Sequence, residues 1–133
     1  MNQAIVKIKS DTDILIARQA VREAAQQIGF GIIDETRLVT AVSELGRNAL
    51  NYGGGGQVAV RVLREPLRTG IEIVCEDQGP GIADPQKALA GGWSTGGGLG
   101  RGLSGTKALM DEFELSTAPG AGTRVIVRKW KRK

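Results

Sequence analysis

Apolar residues recur at helical spacing in the first third of the chain and follow strand-like patterns through much of the rest. Ile14, Ala17, Val21, Ala24 and Ile28 stand three or four apart, which gathers them on one face of a helix. Asp11, Thr12 and Asp13 offer caps before that run, and Gly29 offers a stop after it. Leu38, Val42, Leu45, Ala49 and Tyr52 repeat the pattern, with Asp34 placed to cap a second helix and residues 53–56, all glycine, to end it. Residues 3–9 alternate loosely and permit an edge strand. Residues 57–63 and 71–75 read as strands of a hairpin turned around Pro66 and Gly70. A third helix is predicted over 104–111. A last hairpin is predicted from 113–117 and 123–130, turned by Pro119, Gly120 and Gly122. Between 78 and 102 the chain is rich in glycine and has no period; so long a loop in so small a domain is usually functional or disordered.

Early helices followed by hairpin-paired strands predict an α/β fold. The expected architecture is a two-layer sandwich, a mixed and largely antiparallel sheet packed on helices, in a single domain over 1–133. Neither a repeat nor a linker interrupts it. A chain of 133 residues buries roughly two thirds of its unfolded surface, so it needs no disulfide or metal to fold. Cys75 is the only cysteine, which rules out an intrachain disulfide, and its apolar neighbours make it a core residue. Histidine is absent, and with it His-based nucleophilic triads, His-ligated zinc and an autophosphorylated histidine.

No apolar stretch approaches the roughly 20 residues of a membrane span, and the first residues lack the apolar core of a signal peptide. A cytoplasmic chain with no membrane partner is the expectation. The net charge of +4 gathers near the end, in Arg124, Arg128, Lys129, Lys131, Arg132 and Lys133. Such a run reads either as a contact for nucleic acid or anionic lipid, or as a solvated strand end. Only Trp130 interleaves with the cations, so the second reading is preferred and no nucleic acid is expected.

Four short segments carry candidate chemistry. Glu44 and Asn48 are four apart on the second helix and share a face, with Asn51 beside them. A carboxylate and a carboxamide so aligned can hold a nucleophile and a metal ion, although polar residues beside a buried stripe are also commonly just solvated. Asp77 follows a strand, with Gly79 and Gly81 after it. That Asp can accept from an exocyclic amine such as adenine's while the glycines let the backbone pass close to a flat ring; a tight turn is the other reading. Gly96 through Gly102 lead into the third helix, where free backbone N–H groups suit phosphate. Gly122 and Thr123 open the last strand, and the Thr hydroxyl can complete a contact to the base. Two other readings fail. Gly100 to Gly105 spells G-x-G-x-x-G but follows no strand, and Thr106-Lys107 reverses the order of a P-loop. A eukaryote-type protein kinase is excluded because the chain has no H-R-D and no D-F-G.

Taken together and in order, these segments resemble the GHKL (Bergerat-fold) ATP-binding family. Glu44 and Asn48 match its N box, Asp77-x-Gly79-x-Gly81 its first glycine box, Gly98-x-Gly100-x-Gly102 its second, and Gly122-Thr123 its last. Within that family the chain is similar to the RsbT-type serine/threonine switch kinases of stressosomes. The likeness is closest in Ser43-Glu44-Leu45, Arg47-Asn48, residues 76–82, Ser94-Thr95, residues 97–100 and residues 109–113.

The resemblance implies an ATP-dependent protein serine/threonine kinase that uses Mg²⁺. Its implied partners are STAS-domain scaffold and antagonist proteins, which it phosphorylates, and a downstream phosphatase or other output protein. Asp77 and Thr123 would hold adenine. Asn48 would bind ATP and the metal, and Gly79, Gly81, Gly98, Leu99, Gly100 and Gly102 would line the nucleotide. Glu44 would be the catalytic base, and the loop 78–102 a lid. Arg101 reads either as charge near the γ-phosphate or as a solvated arginine. The alternative is an anti-sigma factor of the same fold that binds a sigma factor and phosphorylates its antagonist.

Overall fold

The computed structural model describes residues 3–82 and 99–132. In chain order its elements are β1 (Gln3–Ile8), α1 (Asp11–Gln27), α2 (Ile32–Tyr52), β2 (Gly56–Arg64), β3 (Arg68–Asp77), α3 (Leu99–Leu109), β4 (Glu112–Thr117) and β5 (Thr123–Arg132). The five strands form one sheet in the order β1-β2-β3-β5-β4, and every ladder is antiparallel. Helices pack on one face of it. The two-layer α/β expectation holds, with a sheet that is antiparallel throughout its described strands.

The core follows from the two periods in the sequence. Ile14, Ala17, Val21 and Ala25 of α1 and Leu38, Val42, Leu45 and Ala49 of α2 are buried against Val58, Val60, Val62, Ile71, Ile73, Cys75, Val125 and Val127 of the sheet. Burying each of the Val, Leu and Ile side chains contributes about 1.5–3 kcal/mol. Ala24 and Ile28, expected on the α1 stripe, are only partly buried, and Ala25 takes the inner position. The other face of the sheet carries a row of alternating charge. Arg61, Glu72, Arg128 and Glu112 are successive cross-strand partners. Glu72 is buried between Arg61 at 2.9 Å and Arg128 at 2.8 Å.

Several boundaries differ from expectation. The second helix starts at Ile32, not after a cap at Asp34. Gly31 is its N-cap, and Asp34 and Glu35 lie inside the first turn, where carboxylates oppose the positive end of the helix dipole. The third helix starts five residues earlier than 104, at Leu99, and ends at Leu109. Asp111 falls outside it and binds β5, its N–H donating to the Arg128 carbonyl at 3.0 Å and its carboxylate accepting from the Trp130 N–H at 2.7 Å.

The basic strand β5 is largely paired within the protein. Arg124 meets Glu76 at 3.8 Å, and Arg128 meets Glu72, Glu112 and Glu114. The Trp130 ring carries the Arg68 guanidinium 3.6 Å from its centre, and its indole N–H donates to Glu112 at 2.5 Å.

Candidate functional site

At one end of the sheet, α2, the last residues of β3, the first of β5 and Leu103 of α3 enclose a cavity of about 160 Å³. Leu45, Ala49, Cys75, Ile82, Leu103 and Val125 form apolar walls; Asn48, Asp77 and Thr123 supply polar groups. A concave, mostly apolar pocket with few convergent polar groups is the usual form of a small-molecule site. The Cys75 thiol is pushed up to about 12 by burial first and then by the charges of Asp77 and Glu76. It is therefore an inert wall, not a nucleophile.

Asp77 ends β3 directly opposite Thr123, which begins β5. Its Oδ1 accepts the Gly79 N–H at 2.9 Å. Burial raises its carboxyl pKa above the ordinary aspartate value, while hydrogen bonds from the backbone N–H groups of Gly79 and Thr123 pull it down. The backbone holding this carboxylate has little freedom. Gly81 and Gly122 both have φ of +77°, and a Cβ would strike the Ala118 carbonyl at the first and the Asp77 carbonyl at the second. Glycine is thus required there by the protein's own packing. The segment after Asp77 is fastened across to the β4–β5 turn by the Gly120 N–H, which donates to the Pro80 carbonyl at 2.6 Å.

Thr117 was not picked out in the sequence, yet it is the centre of the polar network. Its hydroxyl oxygen lies 2.9 Å from the Ile82 N–H, 3.0 Å from the Gly122 carbonyl and 3.0 Å from the Thr123 hydroxyl. Nothing in the pattern of a strand-end Thr distinguishes it from an ordinary β-branched residue. Tyr52 and Gly53 also line the cavity; the sequence placed Tyr52 on the α2 stripe but gave it no contact with a ligand.

On α2, Asn48 lines the cavity and its Nδ2 is buried with no hydrogen-bond partner among the described residues. A half-turn of the amide exchanges Nδ2 and Oδ1, so the group can offer a donor to an anionic oxygen or an oxygen to a cation. Glu44, one turn earlier, stands outside the cavity lining and pairs with Arg47 at 2.7 Å. Asn51 is exposed.

Part of the expected glycine loop is helix. Leu99, Gly100 and Gly102 are in the first turn of α3, where N–H groups have no intrahelical acceptor and the dipole favours an anion. Gly98 and most of the expected lid lie outside the described residues. Among the described residues no group of three or more His, Cys, Asp or Glu could hold a metal, and no helix is long and apolar enough to cross a membrane.

The family described as histidine kinase-, DNA gyrase B-, and HSP90-like ATPase matches residues 33–133. Serine/threonine-protein kinase RsbT of Bacillus subtilis (strain 168) is 46% identical over 98% of this chain and 98% of its own. An anti-sigma F factor of Clostridium novyi (strain NT) is 30% identical over 85% of this chain and 82% of its own. Among solved structures, the RsbU and RsbW domains of Rv1364c from Mycobacterium tuberculosis align with a TM-score of 0.66 at 19% identity, covering 100% of this chain and 34% of that one. On the family match and the RsbT likeness, the chain belongs to the histidine kinase-, DNA gyrase B- and HSP90-like ATPase family.

Proposed function

We propose that this chain is an ATP-dependent protein serine/threonine kinase that phosphorylates STAS-domain scaffold and antagonist proteins of a stressosome. Once released from them, it switches to a downstream phosphatase or other output protein. The single observation that carries the nucleotide reading is the cavity itself, in which the acceptors Asp77 and Thr123 share one apolar slot with Asn48, whose Nδ2 has no partner among the described residues. The likeness to RsbT over 98% of the chain supports the kinase class and motivates the choice of partners.

In this reading Asp77 accepts from the adenine amine, and Gly79 and Gly81 shape the floor beneath the ring. The N–H groups of Leu99, Gly100 and Gly102, with Gly98 before them, hold phosphate oxygens. The Asn48 carboxamide fits Mg²⁺, an ion that takes few protein ligands when phosphates and water supply the rest. When bound, that ion neutralises charge on the phosphates. Glu44 orients the acceptor Ser or Thr hydroxyl and takes its proton as the hydroxyl oxygen bonds to the γ-phosphorus and the bond to ADP breaks. Arg47 steadies Glu44 through Oε1, leaving Oε2 for the hydroxyl. A positioned base of this kind contributes about 10²–10⁴ in rate.

The test is transfer of label from ATP with Mg²⁺ to candidate STAS proteins. Label on a Ser or Thr of the partner is expected, and Glu44→Gln should bind ATP normally by calorimetry yet transfer none. The likeness to anti-sigma F factors supports a second reading, an anti-sigma factor that phosphorylates its antagonist. Recovery of a sigma factor, and no STAS scaffold, in a pull-down from the source cell would replace the first reading with the second.

A further inference from the structure

The Thr117 hydroxyl has no valence to spare. A hydroxyl has one proton to donate and two lone pairs to accept with. The Gly122 carbonyl can only accept, so the Thr117 proton goes to it across 3.0 Å. The Ile82 N–H can only donate, and at 2.9 Å it takes one lone pair. The third contact, at 3.0 Å to the Thr123 hydroxyl, is then satisfied in one direction alone, with Thr123 donating. Thr123 lines the cavity opposite Asp77, whereas Thr117 stands behind it, outside the lining. With its proton turned back to Thr117, Thr123 shows the cavity only lone pairs, and an ionised Asp77 does the same.

We propose that Thr117 is a positioning residue that keeps the base end of the cavity acceptor-only, and thereby sets selectivity for a 6-aminopurine nucleotide over a 6-oxopurine one. The inference rests on the reading of Asp77 and Thr123 as the base site. An exocyclic amine finds two acceptors there. A 6-oxo group brings a third acceptor to face these two, neither of which can donate to it, and buried polar groups left unmatched in this way discriminate strongly. Removing the Thr117 oxygen frees the Thr123 proton to turn into the cavity and donate to that oxo group.

The experiment compares ATP with inosine triphosphate, its 6-oxo counterpart, by calorimetry on the intact chain. Thr117→Val should lower the ATP-over-ITP affinity ratio roughly fivefold, the worth of about one net hydrogen bond, and Thr117→Ser should keep the wild-type ratio. In a Thr123→Val background Thr117→Val should leave the ratio unchanged, because no hydroxyl remains to be redirected. Should Thr117→Val not fold by circular dichroism, Thr117→Cys makes the same comparison, since a thiol is a poor acceptor. An unchanged ratio in a folded Thr117 variant, or the same change with and without the Thr123 hydroxyl, overturns the proposal. A wild-type protein that binds ATP and ITP alike overturns the base-site reading with it; a discriminating wild type with an unresponsive Thr117 sinks this inference alone.

Discussion

The Lys129 ammonium lies 3.0 Å from the carbonyl oxygen of Leu109, the final residue of α3. Lys129 is buried on the helix-facing side of β5, as the burial of its partner Ile71 shows. Its Nζ also stands 3.7 Å from Asp34 in the first turn of α2 and 4.0 Å from Asp111 after α3. One cation thus caps the negative end of α3 and ties it to α2 and the sheet. That end matters because α3 is a poor helix on its own. It holds Gly100, Gly102 and Gly105 in eleven residues, each about 1 kcal/mol worse than alanine in a helix interior. So short a helix is marginal alone. Its stability comes from Leu103 and Thr106 within it and Met110 just after it, all buried, and from this clasp.

Lys129→Met should therefore destabilise the fold by about 1.5–3 kcal/mol, the range for a hydrogen bond to a charged group whose partner is left buried. Chemical denaturation measures it. Amide exchange should speed most in α3, and a midpoint equal to wild type would show that the clasp contributes nothing.

Asp77→Asn separates binding from folding. A carboxyl whose folded pKa lies above its unfolded value weakens the fold wherever it is ionised. That penalty is absent at low pH and grows as pH rises through the interval between the two values. Burial places Asp77 in this class, so at neutral pH the Asn variant should be no less stable than wild type and should keep the Gly79 contact through its amide oxygen. ATP affinity should nonetheless fall at least roughly 100-fold, since the amide can present a donor to the adenine amine. In the wild type, affinity should weaken on acidification at a pH above the ordinary aspartate range, as Asp77 gains its proton. Titration calorimetry against pH reads both effects, and normal ATP binding by the variant would remove the base assignment.

How much of this was legible in the sequence depended on whether a neighbour along the chain or across the sheet decided it. The stripes of α1 and α2 were readable because helical spacing alone selects Ile14, Val21, Leu38 and Leu45 as inner residues. Asp77 was readable as a strand-end carboxylate. The start of α3 was not, because Gly100 and Gly102 argue locally against a helix, and tertiary packing overrides that preference. Lys129 looked like one more solvated cation of a basic strand, since its burial depends on the α3 end folding over it. Thr117 was invisible for the same reason: its three partners come from the segment after β3, the β4–β5 turn and the first residue of β5.

Two glycines should respond in opposite directions to the same change. At Gly105, in α3, an added Cβ meets no atom of the described residues within 4 Å beyond its own chain neighbours and helix backbone, so Gly105→Ala should remove a helix penalty and stabilise by about 0.5–1 kcal/mol. At Gly122 the left-handed φ alone costs an alanine about 1–2 kcal/mol, and the Cβ would also press into the Asp77 carbonyl. The loss there should exceed about 2 kcal/mol, and ATP binding should fall with it, because the atom displaced belongs to Asp77, the residue proposed to hold the base. Thermal denaturation with and without ATP distinguishes the two variants: Gly105→Ala should melt higher and keep its shift on adding nucleotide, and Gly122→Ala should melt lower and lose that shift. A Gly122→Ala protein that melts like wild type would mean that the tight junction between β3 and β5 does not constrain Asp77.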